Sequence, residues 1–520
     1  MPYVETLDGN VLLIEPCSPY LKLSLILKEE FMLFVPTVES SSIRDHIVGL
    51  DVRIPLLNGT TTYPINLDNA ASTPALRSVL ATVNDFMDWY SSIHRGAGFK
   101  SQLATRVYEE ARTIVGRFVG AHADQHVVIF GKNTTEAINI LAQRIAFNPD
   151  AVILCSQIEH HSNDLPWRRV AEVKHIQVDQ QGRLDEAHYA RLLREYAGRV
   201  RLVAISGGSN VTGVIPPIQR LAVQAHAAGA EIFMDCAQLA PHRAINIGTL
   251  DDPAHLDYVA LSGHKLYAPF GCGALIGRRD TFAQGEPSYV GGGTVRSVTE
   301  ATVVWTDSPG RDEAGSPNVV GAVALAAAVN ALTALGMDTV AKHEAELTAY
   351  ALQRLAQVPC MRIYGETDPE AAHTRLGVIP LAIEGVAHGL VASILSNEYG
   401  IAVRNGSFCA QPYLRRLLER PDTEIDCGQT ASSTQPPSAS PGLVRISFGL
   451  YNTLDEIDTL AEALTTIAQH AYQGDYVQDP TTGEYRPQGW NLDTRTYFSL
   501  GQAATRPVPL ETAAVTLSGV

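Results

Sequence analysis

Short runs of apolar residues without polar alternation recur along the first half of the chain. Five of them are rich in β-branched residues and occupy positions 127–130, 151–154, 201–205, 231–234 and 258–261. Continuous apolar character predicts strands that are covered on both faces, as in a parallel sheet. Amphipathic helical patterns lie between several of these runs, as at 135–145 and 218–228. This alternation predicts an α/β fold whose central, mostly parallel sheet is flanked by helices.

Length and local composition divide the chain into parts. Its 520 residues are too many for one hydrophobic core. The Ala/Leu-rich stretch 319–355 predicts two helices interrupted near Gly336, and the turn-like string 479–483 predicts a hairpin between Tyr476 and Tyr485. The expected segments are 1–60, an N-terminal extension; 61–325, a large α/β domain; 326–473, a smaller α+β C-terminal domain with a flexible insert at 420–442; and 474–520, a C-terminal hairpin and tail.

Charge and cysteine usage exclude several classes of function. The net charge of −16 opposes nucleic acid and anionic membranes as main partners. The seven cysteines are scattered and form no CxxC pair, which indicates free thiols in a reducing, cytoplasmic environment. The first residues are acidic rather than basic, and charged residues interrupt the apolar stretch 21–35. We therefore expect neither a signal peptide nor a membrane span.

A lysine directly after a predicted buried strand is the most informative position. Lys265 ends the string S-G-H-K, immediately after the run 258–261. An amine that forms a Schiff base with an aldehyde cofactor explains this position better than a surface charge does. Asp235 ends another predicted strand; alone it would indicate a helix cap, but with Lys265 it indicates a carboxylate that keeps a pyridine nitrogen protonated. The pair predicts pyridoxal 5′-phosphate (PLP), with Gln238 donating to the phenolic oxygen of its ring.

Hydroxyl groups at a predicted helix start offer a site for the phosphate of this cofactor. Thr134 and Thr135 follow the run 127–130 and open a helix, where free backbone N–H groups also bind anions. A plain capping motif is the alternative. Ser262 and His264 would complete the phosphate site from the other side.

Three more predicted strand positions carry polar groups of interest. His160 follows a strand and can lie on the cofactor ring and transfer protons. Its neighbour His161 raises the possibility of a metal, but adjacent side chains diverge and no third ligand is evident, so we predict no metal site. Asn210 also follows a strand and can reach the ring oxygen. Arg445, flanked by apolar residues, needs a planar anionic partner, which is either a structural carboxylate or the α-carboxylate of a substrate.

Together these strings resemble the class V aminotransferase family, and most of all its cysteine desulfurase branch of the SufS-like type. The similarity spans roughly residues 61–470. The matching strings are LDNAAST at 67–73, HRG at 94–96, TTE at 134–136, EHH at 159–161, SNV at 209–211, DCAQ at 235–238, SGHK at 262–265, GGGT at 291–294, EAGSPN at 313–318, and Arg445 with YNT at 451–453.

The resemblance implies a fold and several roles. It implies PLP fold type I, with PLP bound by the large domain, and a homodimer whose active site lies at the subunit interface. Thr294 would then reach across to the phosphate in the partner's site, and His160 would stack on the cofactor ring. The residues implied around the substrate are Arg445, Arg404, Asn69 and Ala70.

The string RNGSFCAQP at 404–412 resembles the loop that carries the persulfide-forming cysteine of SufS-like enzymes. Cys409 lies in this glycine-containing loop near Arg404, whose field favours the thiolate; a buried small hydrophobic residue is the alternative. The resemblance implies that Lys265 and His160 shuttle protons while the Cys409 thiolate attacks the sulfur of L-cysteine. L-alanine leaves, and the persulfide passes to a thiol acceptor, which can be a sulfur-acceptor protein.

Two other functions stay open at this point. The same scaffold serves selenocysteine lyases, C–S lyases, epimerases and aminotransferases. A non-enzymatic scaffold or sulfur-carrier partner is a third reading, which the presence of Lys265, Asp235 and His160 opposes. Residues 97–100 differ from the histidine and hydroxyl residue usual in the family, which indicates a different cap around the substrate.

Overall fold

The computed structural model describes residues 43–420 and 441–503. Predictions for the first 42 residues, for 421–440 of the insert and for the tail after 503 lie outside the described residues. The strands are β1 Ile54–Pro55, β2 Thr61–Thr62, β3 Ile65–Asn66, β4 His126–Gly131, β5 Val152–Ser156, β6 Glu172–Ile176, β7 Val200–Ser206, β8 Glu231–Asp235, β9 Tyr258–Ser262, β10 Gly273–Arg278, β11 Val295–Val298, β12 Val303–Trp305, β13 Met361–Ile363, β14 Val378–Ile383, β15 Ile401–Ala402, β16 Arg404–Gly406, β17 Leu443–Ser447, β18 Tyr476–Gln478 and β19 Tyr485–Pro487.

Helices separate most strands of the first half and dominate the second half. They are α1 Arg77–Met87, α2 Phe99–Phe118, α3 Thr134–Arg144, α4 Glu186–Glu195, α5 Ile218–Ala227, α6 Arg279–Ala283, α7 Val319–Leu335, α8 Met337–Leu355, α9 His388–Tyr399, α10 Gln411–Leu417, α11 Leu454–Ala468 and α12 Leu500–Ala503.

The central sheet has seven strands in the order β4-β10-β9-β8-β7-β5-β6. Strands β5 to β9 pair parallel to one another, whereas β10 runs antiparallel to both of its neighbours, β9 and β4. The five apolar runs of the sequence are β4, β5, β7, β8 and β9, and their residues are almost all buried. The predicted α/β architecture with a mostly parallel sheet is therefore confirmed.

Two strands of this sheet did not stand out in the sequence. β6 is an edge strand with charged residues, so it lacks a continuous apolar run. β10 contains Gly273 and Gly277, and glycine weakens a strand pattern. A Cβ at Gly273 would lie 2.5 Å from the carbonyl oxygen of Leu261, and one at Gly277 would lie 2.4 Å from the ring of Tyr258. The close approach of β9 therefore requires glycine at both positions. The same glycines weaken the apolar pattern by which β10 could have been predicted.

Helix α7 is apolar on all sides because it is packed from several directions. Ten of its residues are buried, and it contacts α1 and α2. It ends at Gly336, whose φ of 85° stops the helix before α8 begins, as predicted. Among the described residues no single helix is long and apolar enough to cross a membrane; α7 and α8 meet that test only as a pair bent by 78°.

A second hydrophobic core lies around a smaller sheet of order β13-β14-β17-β16. Its strands pair antiparallel, and side chains from α8, α9 and α11 complete the core. The hairpin predicted near the C-terminus is present, with β18 and β19 paired antiparallel. The segment bounds at 60/61, 325/326 and 473/474 stay predictions. What matters for the site is that β17 and β16 carry residues to the carboxyl edge of the central sheet.

Core packing of the central sheet gives a first prediction. Val203 in β7 is fully buried, whereas Val223 on α5 is 40% exposed. Replacing Val203 with Ala should lower the free energy of unfolding by about 2 kcal/mol, because two buried methyl groups are lost and a cavity remains. Chemical denaturation checks this. Val223→Ala deletes the same atoms and should change stability by less than about 0.5 kcal/mol; equal effects would contradict the assigned core.

Candidate active site

A cavity of about 460 Å³ lies where the central strands end. Open α/β sheets place their ligands at this edge because the loops after parallel strands converge there. Of the fifteen site residues predicted from the sequence, thirteen line this cavity: Ala70, Thr134, Thr135, His160, Asn210, Asp235, Gln238, Ser262, His264, Lys265, Arg404, Cys409 and Arg445. Residues separated by more than 300 positions in the chain thus share one pocket.

The other two predicted residues, Asn69 and Thr294, are buried elsewhere. The amide of Asn69 donates to the carbonyl of Ser447 (3.0 Å), and its oxygen accepts from the hydroxyl of Tyr451 (2.7 Å). Thr294 Oγ1 donates to the carbonyl of Gly291 at 2.7 Å. In a single chain, therefore, neither side chain lines the cavity.

Lys265 and Asp235 form the electrostatic centre of the cavity. Lys265 ends a short helical turn after β9, and burial lowers its pKa to about 8, although the charge of Asp235 acts in the opposite direction. Burial raises the pKa of Asp235, which the N–H of Ala237 (2.9 Å) and the charge of Lys265 oppose. Each charge is thus desolvated and partly compensated by the other.

The N-terminus of α3 forms one wall of the cavity. Asn133 caps the helix by accepting from the N–H of Glu136 at 3.0 Å. Ser262 Oγ accepts from the N–H of Thr134 and donates to Thr134 Oγ1, both at 2.9 Å. Thr135 Oγ1 lies 2.7 Å from the hydroxyl of Ser162. Hydroxyl groups from three elements therefore surround the helix start, which is the donor set that a phosphate needs.

Both imidazoles that face Lys265 are held neutral. Burial lowers the pKa of His160 to about 4, with further effects from the charges of Lys265, His161 and Arg445. Burial and Lys265 likewise lower the pKa of His264 to about 4. The Nδ1 atom of His160 accepts from the N–H of Ser162 at 3.1 Å, so the proton of the neutral ring resides on Nε2.

A buried acid that sequence reasoning missed supports the His160 segment. Glu159 accepts from the amide of Asn163 (2.6 Å) and from both the N–H and the hydroxyl of Ser206 (2.9 and 2.6 Å). Burial raises its pKa to about 7. These contacts tie the ends of β5 and β7 together. Its position directly before His160, after an apolar strand, was the available signal.

The loop of Cys409 is fixed by groups from the central sheet. Cys409 is exposed, unlike the buried thiols of Cys155, Cys236 and Cys272. The N–H of His161 donates to the carbonyl of Cys409 at 2.7 Å, and the amide of Asn210 donates to the carbonyl of Phe408 at 2.8 Å.

The backbone of this loop is unusual as well. Phe408 and Cys409 have φ of 55° and 54°, a region that non-glycine residues seldom adopt. Two consecutive residues persist there only because the surroundings hold them. The loop therefore presents the thiol to the cavity in a defined conformation.

Arg445 carries the second charge centre. It is 3% exposed on β17; its Nη1 donates to the carbonyl of Asn210 and its Nη2 to Asp68 Oδ1, each at 2.9 Å. Its guanidinium lies over the ring of Phe408, 5.0 Å from the ring centre. Arg404 also faces Asp68, with Nε 3.3 Å from Oδ2. Sequence reasoning left a structural carboxylate and a substrate carboxylate open as partners of Arg445, and the structure provides the structural one.

Potential metal ligands occur in two places. The rings of His160 and His161 have centroids 6.3 Å apart and are inclined at 49° to each other. Among the described residues, His226, His255 and Asp257 come within ligand distance of one another. Their imidazoles stack 4.1 Å apart at 15°, so their lone pairs lie in parallel planes rather than converging on one ion, and Arg278 donates to the same carboxylate at 3.0 Å. Asp257 is satisfied by protein donors.

Comparison with known proteins places this site in a family. The sequence profile of the family described as Aminotransferase class-V matches residues 65–460. A cysteine desulfurase of Haloferax volcanii is 35% identical over 428 residues, covering 80% of this chain and 92% of the relative. A cysteine desulfurase of Dickeya dadantii is 36% identical over 412 residues, covering 77% and 91% of the two chains.

Solved structures agree with the sequence comparison. The apo structure of a cysteine desulfurase from Thermococcus onnurineus NA1 is 30% identical, with a TM-score of 0.69, and covers 78% of this chain and 95% of its own. The cysteine desulfurase CsdA (S-sulfonic acid) from Escherichia coli is 28% identical, with a TM-score of 0.66, and covers 83% and 98%. The fold is therefore that of these enzymes, which share PLP fold type I. By its matched sequence and its fold, this chain belongs to the class V aminotransferase family.

Proposed function

We propose that the protein is a PLP-dependent cysteine desulfurase that converts L-cysteine to L-alanine and retains the sulfur on Cys409. The observation that carries the proposal is the position of Cys409 relative to Lys265 and Asp235. An exposed thiol on a fixed loop lines the same cavity as a buried lysine–aspartate pair. Aminotransfer and epimerisation would use the lysine and the aspartate but release no sulfur for a thiol to accept.

The cavity residues fit PLP in charge and in hydrogen-bonding character. The amine of Lys265 would hold the aldehyde carbon, and Asp235 would keep the ring nitrogen protonated. Thr134, Ser262 and the N-terminus of α3 offer donors to a phosphate. His160, neutral and flat, would cover the ring. When bound, PLP supplies the electron sink that weakens the C–S bond of the substrate.

Each remaining task falls to a residue of this chain. Arg445 and Arg404 would bind the carboxylate of L-cysteine. Lys265, with a pKa of about 8, can release and recover a proton near neutrality. The sulfur of Cys409 attacks the sulfur of the substrate, so that an S–S bond forms while the substrate C–S bond breaks. The balance is L-cysteine plus thiol giving L-alanine plus persulfide, and a thiol acceptor, such as a sulfur-acceptor protein, then removes the sulfur.

We further propose a cytoplasmic homodimer. Tyr289 and Val290 are adjacent in the chain and are 73% and 60% exposed, and neighbouring exposed apolar side chains support an interface at this position. Tyr289 and Val290 directly precede the turn that carries Thr294, so pairing of this surface would place Thr294 near a second copy. A site shared between subunits accounts for a predicted phosphate ligand that does not line the cavity of its own chain.

Removing the thiol tests the reaction. Cys409→Ala should reduce alanine and sulfide formation from L-cysteine at least about 100-fold, because no nucleophile remains for the sulfur, while the visible absorbance of bound PLP persists. The matched control is Cys360→Ala, since Cys360 is also exposed but does not line the cavity. Undiminished turnover in Cys409→Ala would indicate a lyase or another class V reaction.

The titration of Lys265 tests its assigned role. In protein stripped of cofactor, the rate of acetylation of Lys265 should reach half of its maximum near pH 8. Burial disfavours the ammonium form, so the reactive neutral amine exists at lower pH than for an exposed lysine. Lys174 is the control: its pKa is raised, chiefly by its hydrogen bond to Glu172, so it should react only at much higher pH. Peptide mass spectrometry reads both sites in one sample. Asp235→Asn should lower the Lys265 midpoint further, and equal midpoints for the two lysines would refute the assignment.

The shared site can be tested by mixing two impaired variants. Lys265→Ala and Thr294→Ala should each lose activity. A mixed dimer contains one site with Lys265 from one subunit and Thr294 from the other, so refolding the variants together should restore about a quarter of the wild-type activity if subunits pair at random. Activity no higher than the sum of the separate variants would exclude a shared site.

A further inference from the structure

Asp68 is a charged residue of the cavity region to which neither the sequence nor the comparisons assign a role. Its carboxylate bridges the two arginines of the carboxylate clamp, Arg445 and Arg404. Oδ1 accepts from Arg445 Nη2 at 2.9 Å, and Oδ2 lies 3.3 Å from Arg404 Nε. A protein carboxylate therefore holds the contacts that the proposed substrate carboxylate would use.

The backbone fixes Asp68 in this position. It lies two residues after the end of β3, its N–H donates to Asn66 Oδ1 at 3.1 Å, and its backbone forms an isolated parallel β-bridge with Ser447 on β17. The N–H of Ser447 donates to the carbonyl of Leu67 at 2.7 Å. Asp68 thus lies beside the strand that carries Arg445, and only its side chain must move to release the arginines.

The hydrogen bonds of Arg445 leave one edge of its guanidinium incomplete. Nη1 donates to the carbonyl of Asn210, and Nη2 donates to Asp68. The buried Nε has no partner among the described residues. Nε and Nη2 form the edge that binds a carboxylate through two parallel hydrogen bonds. On this edge Nη2 already donates to Asp68, whereas Nε has no acceptor among the described residues. A carboxylate that displaced Asp68 could accept from both atoms.

The formal charges of the two arginines and Asp68 also indicate that one carboxylate can bind here. Arg404 and Arg445 carry two positive charges and Asp68 carries one negative charge. The net charge of these three residues is therefore +1, and one further carboxylate would neutralise it. The cavity also holds Lys265 and Asp235, which compensate each other. A second carboxylate on the substrate would meet no unpaired cation in this set.

We propose that Asp68 is a resident counterion of the clamp: it occupies Arg445 and Arg404 in the free enzyme, competes with the substrate carboxylate, and restricts the site to amino acids that carry a single carboxylate. This inference rests on the proposed function, because it requires an amino-acid substrate. It makes Asp68 a specificity-determining residue rather than a participant in sulfur transfer.

Binding of non-reacting amino acids to the holoenzyme tests the proposal. Neither L-alanine nor L-aspartate carries a sulfur to transfer, so each should perturb the absorbance of bound PLP by binding alone, L-aspartate only weakly in the wild type, and their dissociation constants can be titrated. In Asp68→Asn, which removes the charge but keeps the shape, L-alanine should bind about tenfold more tightly and L-aspartate should gain still more, because a charge-assisted competitor is lost. Asp68→Ala should shift both constants in the same direction.

Asp493→Asn is the control, since the carboxylate of Asp493 also accepts from an arginine, Arg495 (2.8 and 2.9 Å), but on an exposed surface away from the cavity. It should leave both dissociation constants unchanged. Unchanged or weaker alanine binding in both Asp68 variants would overturn the proposal, and loss of the PLP absorbance in both would do so too, because Asp68 would then serve folding alone. A wild-type protein with no spectral response to L-cysteine or L-alanine would instead refute the proposed function.

Discussion

Burial of charge at the carboxyl edge of the central sheet is the constraint on which the site depends. Asp235 ends β8 and Lys265 follows the neighbouring strand β9, and both are withdrawn from water. Isolated charges in such a place would be costly, so each stabilises the other. Burial lowers the pKa of Lys265 to about 8, although the charge of Asp235 acts in the opposite direction. An amine that changes protonation near neutrality is therefore a consequence of where the sheet ends.

The same burial explains the neutral histidines. His160 and His264 face the positive charge of Lys265 in a desolvated space, and their pKa values fall to about 4. Neutral rings can lie against a flat aromatic cofactor without adding charge to it. Glu159, the residue before His160, accepts from Ser156 at the end of β5 and from Ser206 at the end of β7, so the His160 segment is tied to the central sheet.

A second network connects substrate recognition to the thiol. Arg445 donates to the carbonyl of Asn210, Asn210 donates to the carbonyl of Phe408, and the ring of Phe408 lies under the guanidinium. Cys409 is the next residue. The group proposed to bind the substrate carboxylate and the group proposed to receive its sulfur are thus positioned by shared contacts, and Asp68 sets how many anions the arrangement accepts.

The sequence by itself determined the parts whose physical signal is local. Five buried strands followed from continuous apolar runs, the break between α7 and α8 from Gly336, and Lys265 from a charge that follows such a run. Several site residues, such as Asp235, His160 and Asn210, could be named because polar positions after parallel strands share one edge of the sheet, whereas Ala70, Arg404 and Cys409 were named from the family resemblance. β10 was not predicted because its glycines, which the close approach of β9 requires, interrupt the apolar pattern. A contact between two strands is not visible in a local sequence pattern.

Only the tertiary structure decided which long-range partners each charge has. Arg445 and Asp68 are 377 positions apart in the chain. The hydrogen bond between His161 and Cys409 also joins distant parts of the chain, and no periodicity in the sequence reports it. Periodicity records which side of an element is buried, but hydrogen-bond partners depend on the three-dimensional distances between elements. The sequence therefore specified the chemistry available to the site, and the fold specified how its charges are paired.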